Sequence, residues 1–403
     1  MGKSLQGKEL GRGITQRSSG LYNARAAING VQISVYDTNL KALKEKFEKE
    51  KAKVTLGEYV VNSNITLDEW FLNKWFPMYK QGKLKDDLSC YNYIRRYQNT
   101  FGKYLGSEKM TSITELQVQG IANILTDKRR TKHYSSKFVK ESLSSIRECF
   151  AAAKNNNIIR SNPAFNVIIS DDEEKERLVL TAEQQQNFLE VASDRYYAEV
   201  YRILLSTGLR AGELAGLRWE DIDFKNKEIH VRHSLQSAYF NGKKVMRLTT
   251  PKTNNGKRSI PMFGGVEDDL KSWKAKQELS MKNLGDRWRL PTDLKGLVFT
   301  SSFGSPLTRY VLSIDIKKIV DIINQKEVYY AKLEGREPNE FPAIHPHTFR
   351  HTFCTNALTV KNLDPVFVMK VMGHASFQTT LSYTHQLDNV TKKQVEMAGS
   401  FIA

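Results

Sequence analysis

The 403-residue chain has only three cysteines, Cys90, Cys149 and Cys354, far apart and without CxxC spacing. That excludes a disulfide framework and suits a reducing compartment, with each thiol read as a small buried hydrophobe. No apolar run approaches the length of a membrane span. The opening Met1-Gly2-Lys3-Ser4-Leu5-Gln6 has no apolar signal region, and Gln6 breaks the myristoylation pattern. A cytoplasmic protein with no membrane partner is expected. Internal repeats, low-complexity tracts and coiled-coil heptads are missing. So is a phosphate-binding loop: Gly2–Glu9 approximates one, but Glu9 stands where Ser or Thr is needed and no strand precedes it. Paired carboxylates of the two-metal kind are also missing. His347 and His351 have the i, i+4 spacing of zinc ligands, but no HExxH glutamate lies between them and no Cys pair is near. No metal and no cofactor are expected.

Charge is abundant and uneven: 61 Lys and Arg against 44 Asp and Glu give +17. Residues 1–60 carry 11 basic and 6 acidic groups, and residues 61–161 carry 17 and 9, leaving only +4 for the other 242. A basic front half suits a polyanionic partner, because neutralised phosphates release condensed counterions. A solvated basic surface kept for solubility is the other reading.

The length exceeds one ordinary core and implies two or three domains. Residues 1–60 read as a small domain. Strands are predicted at Leu21–Ala27 and Val31–Tyr36 around an Asn29-Gly30 turn, with a third at Gly13–Arg17. A helix follows, N-capped by Thr38, with Leu40, Leu43 and Phe47 on one face. Such a sheet can lie in a DNA groove, with Arg12, Arg17 and Arg25 as contacts, or those arginines are simply exposed charges. Residues 61–170 read as helical. Thr66 and Glu69 have capping-box spacing before Trp70, Phe71, Trp75 and Phe76, and further helices are predicted over Ser89–Leu105, Leu116–Thr126 and Ser135–Asn155. Lys128, Arg129 and Arg130 lie in a basic loop between helices, and Ser161–Lys175 reads as an exposed connector. Residues 178–403 read as one larger, mostly helical domain with a strand insert at Glu228–Arg232, Ser237–Phe240, Lys244–Leu248 and Lys257–Met262. The fold class is thus multidomain, mainly α with small β-sheets.

Five of the eight histidines fall between His345 and His385. His347 and Arg350 share a helix face, while Phe349 and Phe353 anchor another. Asp364-Pro365 opens a short helix that Gly373 ends, leaving His374 at an exposed corner. Tyr383 follows nine residues later, on a helix that Ser376 can cap; alone, it reads equally as a packed aromatic. Far upstream, Gly208 sits as a helix C-cap. At that junction Arg210 can aim its guanidinium at a phosphate with Glu213 to orient it, or form a surface ion pair. Lys252 follows a strand and precedes Asn254-Asn255-Gly256, where an ordinary hairpin lysine would also sit.

Taken together, Arg210 within Thr-Gly-Leu-Arg-x-x-Glu-Leu, Lys252, His347-x-x-Arg350, Gly373-His374 and Tyr383 occur in the order and spacing of the tyrosine recombinases. The chain resembles a phage or conjugative-transposon integrase of that family, most specifically over residues 178–403. The resemblance implies an arm-type DNA-binding domain, a helical core-binding domain and a mixed α/β catalytic domain. It implies Tyr383 as nucleophile, Arg210 and Arg350 on the phosphate oxygens, Lys252 as general acid, His347 assisting proton transfer and His374 bonding the phosphate. It also implies metal- and ATP-independent strand exchange through a 3′-phosphotyrosine. The implied partners are double-stranded DNA at attachment (core) and arm sites, a tetramer of copies in the synapse, and an accessory directionality factor, on the bacterial nucleoid. Phe349 stands where the family has leucine. A shorter Xer-type recombinase, a DNA-binding regulator without catalysis and a type IB topoisomerase are the rival readings. The apolar tail residues Val390, Val395, Met397 and Phe401 suit packing against a neighbouring subunit.

Overall fold

A computed structural model of the chain describes residues 2–28, 31–56, 64–172, 177–240, 242–250, 256–361 and 363–381. These residues fall into two units, Met1–Glu174 and Lys175–Ala403. Mainly helical structure with small sheets fills both, as the sequence implies.

The first unit opens with β1 (Gly2–Lys3) paired to β2 (Glu9–Gly11), a hairpin that sequence patterning missed. Then β3 (Ile14–Gln16), β4 (Tyr22–Ile28) and β5 (Val31–Asp37) form an antiparallel meander, with Ala24 opposite both Ile14 and Val35. Strand alternation sends Ile14, Ala24 and Ile33 inward onto Leu43, Phe47 and Val54 of α1 (Leu40–Thr55). The opposite face therefore carries Arg25, Ser34 and Tyr36. Asn39, not Thr38, caps α1: its Oδ1 accepts from the Lys41 and Ala42 amides at 2.8 and 3.2 Å. The Asn29-Gly30 turn lies outside the described residues.

A separate apolar core serves the helices. Thr66 and Glu69 close the predicted capping box at the start of α2 (Leu67–Trp70), which continues as a wider-wound helix over Phe71–Lys80. Its Phe71 ring stacks on Tyr97 with centroids 3.7 Å apart. The single helix expected over Ser89–Leu105 is two, α3 (Asp87–Asn99) and α4 (Phe101–Leu105). Thr100 breaks it, at φ −116° and ψ −112°, with its hydroxyl donating back to the Arg96 carbonyl at 2.7 Å. α5 (Glu115–Thr126) and α6 (Ser136–Asn155) follow at the predicted positions. The segment after α6, expected to be an exposed connector, is exposed only in part, as at Phe165 and Ile168. Ala164 and Val167 are buried, and Arg147 of α6 donates to the Ala164 carbonyl at 2.9 Å.

The second unit is built on α8 (Ala198–Thr207), which follows α7 (Ala182–Ala192) and precedes the short α9 (Ala211–Ala215). Next come β6 (Ile222–Asp223), β7 (Glu228–Val231), the hairpin β8 (Ser234–Phe240) with β9 (Lys243–Thr249), and β10 (Arg258–Pro261). β10, β7 and β6 make a three-stranded sheet in that order. α10 (Val266–Leu284), α11 (Arg309–Glu334), α12 (Pro346–Thr359), α13 (Pro365–Met372) and α14 (Phe377–Leu381) complete the unit. Val200, Tyr201, Ile203 and Leu204 of α8 are fully buried in one cluster with Trp273 of α10, Ile316 of α11 and Phe349 of α12. Asp315, inside that core, is satisfied by the Tyr201 hydroxyl at 2.6 Å and by Arg195. α8 and α12 are thereby fixed against each other. No helix of the described residues is long and apolar enough to cross a membrane.

Candidate active site

Two left-handed glycines build the site. Gly208 ends α8 at φ 62° and ψ 19°, and a Cβ there would lie 2.5 Å from the Phe353 ring and 2.8 Å from the Met372 sulfur. Only glycine meets both constraints. The turn presents Arg210 as the N-cap of α9, and Glu213, three residues on, accepts from the Arg210 amide at 3.0 Å and from Arg210 Nη1 at 2.7 Å. Glu213 is buried, so this is not a surface ion pair. Gly373 ends α13 at φ 64°, with the His374 amide donating to the Met369 carbonyl at 3.1 Å and the Gly373 amide to Lys370 at 3.1 Å. This Schellman geometry leaves the next carbonyls of the helix end to be satisfied from elsewhere.

Three arginines satisfy them. Arg258 Nε donates to Val371 O at 2.6 Å, Arg350 Nη2 to Met372 O at 2.6 Å, and Arg210 Nη2 to Gly373 O at 3.3 Å. Arg350 Nη1 also donates to Gly208 O at 2.8 Å, joining the two glycine turns. Cations at a helix C-terminus are favoured by the partial negative charge of its carbonyls. Consequently the turn bearing His374 is covered. The sequence placed His374 at an exposed corner; it is 5% exposed, with Nδ1 2.9 Å from the Thr380 hydroxyl. Helix ends attract solvent only when nothing else caps them, and here guanidinium groups from three distant elements do.

His347 lies three residues before Arg350 on α12, half-buried. His345 caps that helix, its Nδ1 accepting from the His347 amide at 3.1 Å. The His347 and His351 rings meet edge to face at 4.5 Å, and among the described residues no group of three or more His, Cys, Asp or Glu side chains could hold a metal ion.

Electrostatics follow from this crowding. Burial would push the Glu213 carboxyl up, but hydrogen bonds and charge from Arg258, with the charge of Arg210, outweigh it and hold the group at about 2. Burial lowers the His347 imidazole to about 4, helped by Arg350, His345 and Arg210. Burial, then Arg350, Arg210 and Arg258, lowers His374 to about 3. Both rings are neutral at pH 7, beside a net positive cluster. A phosphate diester placed there would meet guanidinium donors and two neutral imidazoles.

Four of the six predicted active-site residues are thus brought to one helix end and its neighbours: Arg210, His347, Arg350 and His374. Lys252 and Tyr383 lie outside the described residues. Glu213, expected to orient Arg210, bonds its amide and its guanidinium. Arg258, His345 and Thr380 escaped sequence reasoning. A signal existed for Arg258: it stands two residues before the buried Ile260 on one strand, so it shares the inward face and needs a carboxylate. Arg12, Arg17 and Arg25 are exposed on or beside the β3–β5 sheet, with Arg17 5.1 Å over the Tyr36 ring. Lys128, Arg129 and Arg130 are exposed in the α5–α6 loop, where Arg129 pairs with Asp127 at 2.9 Å.

A family model described as the phage integrase family matches residues 174–389, more than half the chain. The chain belongs to the phage integrase family. Within the family it is similar to the transposase from transposon Tn916 of Enterococcus faecalis, with 30% identity over 250 residues, 59% of this chain. That alignment spans 56% of the transposase, just over half its length. Among solved structures, the Tn1549 transposon integrase in complex with transposon right-end DNA shares 25% identity and a TM-score of 0.61, over 83% of this chain and 99% of the solved one. A lambda integrase dimer bound to a core site shares its fold, with 16% identity and a TM-score of 0.53 over 95% of this chain and 97% of that one. The integrase fold therefore extends well beyond the stretch that carries the family match.

Proposed function

We propose that this phage integrase family member is a site-specific DNA recombinase of a mobile element, cleaving and rejoining strands through a 3′-phosphotyrosine on Tyr383. The observation that carries the reading is the cluster of Arg210, Arg350, His347 and His374 about the C-terminus of α13. Arg210 and Arg350 hold the non-bridging oxygens of the scissile phosphate and stabilise the charge that grows there. His347, neutral at pH 7, takes the phenol proton as Tyr383 attacks phosphorus. The bond to the 5′-oxygen breaks, and Lys252 supplies the proton that makes it a hydroxyl. His374 bonds the phosphate. The tyrosyl ester conserves the bond energy, so a 5′-hydroxyl from the partner strand reverses the attack and seals the exchange without ATP or metal.

Residues 178–403 act as the catalytic domain, residues 61–170 bind the core site with Lys128, Arg129 and Arg130 on phosphates, and residues 1–60 bind arm sites. For the last, the exposed sheet face with Arg25, Ser34 and Tyr36 is of a kind that enters a groove. A separate sheet-and-helix front also favours an integrase over a shorter Xer-type enzyme. Double-stranded DNA, three further copies in a tetrameric synapse and a directionality factor are the partners, in the bacterial cytoplasm on the nucleoid. The relatives solved with transposon-end and core-site DNA support this choice. The test uses nicked suicide duplexes tiled across the DNA that flanks this chain's gene. Wild type should trap a covalent complex on one duplex and Tyr383→Phe none; a complex that persists in Tyr383→Phe overturns the nucleophile.

A further inference from the structure

Glu213 is shared. Its Oε1 accepts from Arg210 Nη1 at 2.7 Å and from Arg258 Nη1 at 3.1 Å, and its Oε2 from the Arg210 amide at 3.0 Å and Arg258 Nη2 at 2.8 Å. The Arg258 guanidinium thus bonds both oxygens, while Arg210 bonds one through its guanidinium and the other through its amide; the Arg210 side chain is 40% exposed and that of Arg258 6%. Arg258 lies on β10 opposite Val231, so the three-stranded sheet fixes its backbone. Its Nε donates to Val371 O near the end of α13 at 2.6 Å. One side chain therefore spans the carboxylate that orients Arg210 and the helix end that carries His374.

We propose that Arg258 is a positioning residue for strand cleavage: it fixes Glu213, and through it Arg210, and anchors the α13 terminus that presents His374. The role rests on the recombinase reading above. Being buried and behind Glu213, Arg258 acts on the phosphate only through these neighbours. A carboxylate held from one side alone can swing with Arg210. A carboxylate held by a forked guanidinium on a sheet strand cannot, because two parallel bonds fix its plane. Burial of Glu213 without Arg258 would also favour its protonated form, which orients a guanidinium poorly.

The test is single-turnover cleavage of the nicked duplex at saturating DNA, alongside DNA affinity and melting temperature, for R258K, R258Q, E213Q, R258K/E213Q and R258Q/E213Q. R258K keeps the charge but loses the fork. It should cleave about 10- to 100-fold more slowly, the worth of one or two charge-assisted bonds, with affinity within about threefold of wild type. In the E213Q background the same replacement should cost far less than in wild type. R258Q/E213Q leaves no carboxylate in the buried site, so it remains informative if R258K folds badly; its loss should fall well short of the product expected from independent residues. Wild-type cleavage by R258K, equal losses of rate and affinity, or fully additive losses would overturn the role. Tyr383→Phe runs in parallel. If it still forms the covalent complex, the recombinase reading fails; if it forms none while R258K cleaves normally, only the role of Arg258 fails.

Discussion

Replacing Gly208 by alanine should damage stability and cleavage together, for two separable reasons. The residue sits at φ 62° and ψ 19°, a conformation that costs an L-residue about 1–2 kcal/mol. A Cβ there would also press within 2.5 Å of the Phe353 ring and 2.8 Å of the Met372 sulfur. Relief requires moving side chains in a packed region, which costs about 1–3 kcal/mol more. The sum is about 2–5 kcal/mol, read by urea unfolding of the whole chain. Gly335→Ala is the matched control: it also ends a helix at φ 66°, with nothing within 4 Å of its Cβ position. It should lose only the conformational part, about 1–2 kcal/mol. Because the Gly208 carbonyl accepts from Arg350, cleavage should fall in Gly208→Ala and hold in Gly335→Ala. Equal destabilisation by the two variants would refute the close-approach argument. Normal cleavage in Gly208→Ala would refute the coupling of this turn to Arg350.

Glu213→Gln leaves the buried Arg258 without its anion and should cost about 2–4 kcal/mol, reduced from the fully buried case because Arg210 is partly exposed. Its effect on cleavage should be about 10- to 100-fold, the scale of an ångström of misplacement, and a wild-type rate would contradict the orienting role. His347 and His374 have folded-state values of about 4 and about 3, below the ordinary 6.5. Their contribution to stability is therefore complete above pH 6.5 and is lost as pH falls toward 4 and 3; a melting temperature flat from pH 7 to pH 4 would contradict it. A bound phosphate should raise both values, so DNA binding near pH 5.5 should take up protons, measurable by titration calorimetry in buffers of different ionisation enthalpy. Arg25→Ala should weaken arm-site binding and lower its salt slope by roughly 0.9 for one lost phosphate contact; an unchanged slope would remove Arg25 from the interface.

Local chemistry was the most legible part of the sequence. Thr66 with Glu69, Asp364 before Pro365, and the glycines at 208 and 373 all act within a few residues, and each cap stands where patterning put it. The shift from Thr38 to Asn39 is the small error of choosing between adjacent capping residues. What patterning could not supply is the partner across the fold. His374 followed a helix-ending glycine and so looked exposed. Arg210, Arg258 and Arg350, distant in sequence, converge on the carbonyls beside it and bury it. Thr100, at φ −116° and ψ −112°, split a helix that apolar spacing made continuous. Arg258 was legible in principle, as an arginine on the inward face of a strand, and its carboxylate lay 45 positions upstream.

Whether Tyr383 carries the DNA is read most directly from the mass of the linked peptide. The covalent complex from the nicked duplex would be digested with nuclease and trypsin and sequenced by mass spectrometry. A nucleotide residue is expected on Tyr383, within the peptide Val371–Lys392, joined through the 3′-phosphate with a free 5′-hydroxyl on the departing strand. A nucleotide on any other side chain, or a 5′-phosphate linkage at Tyr383, would contradict it.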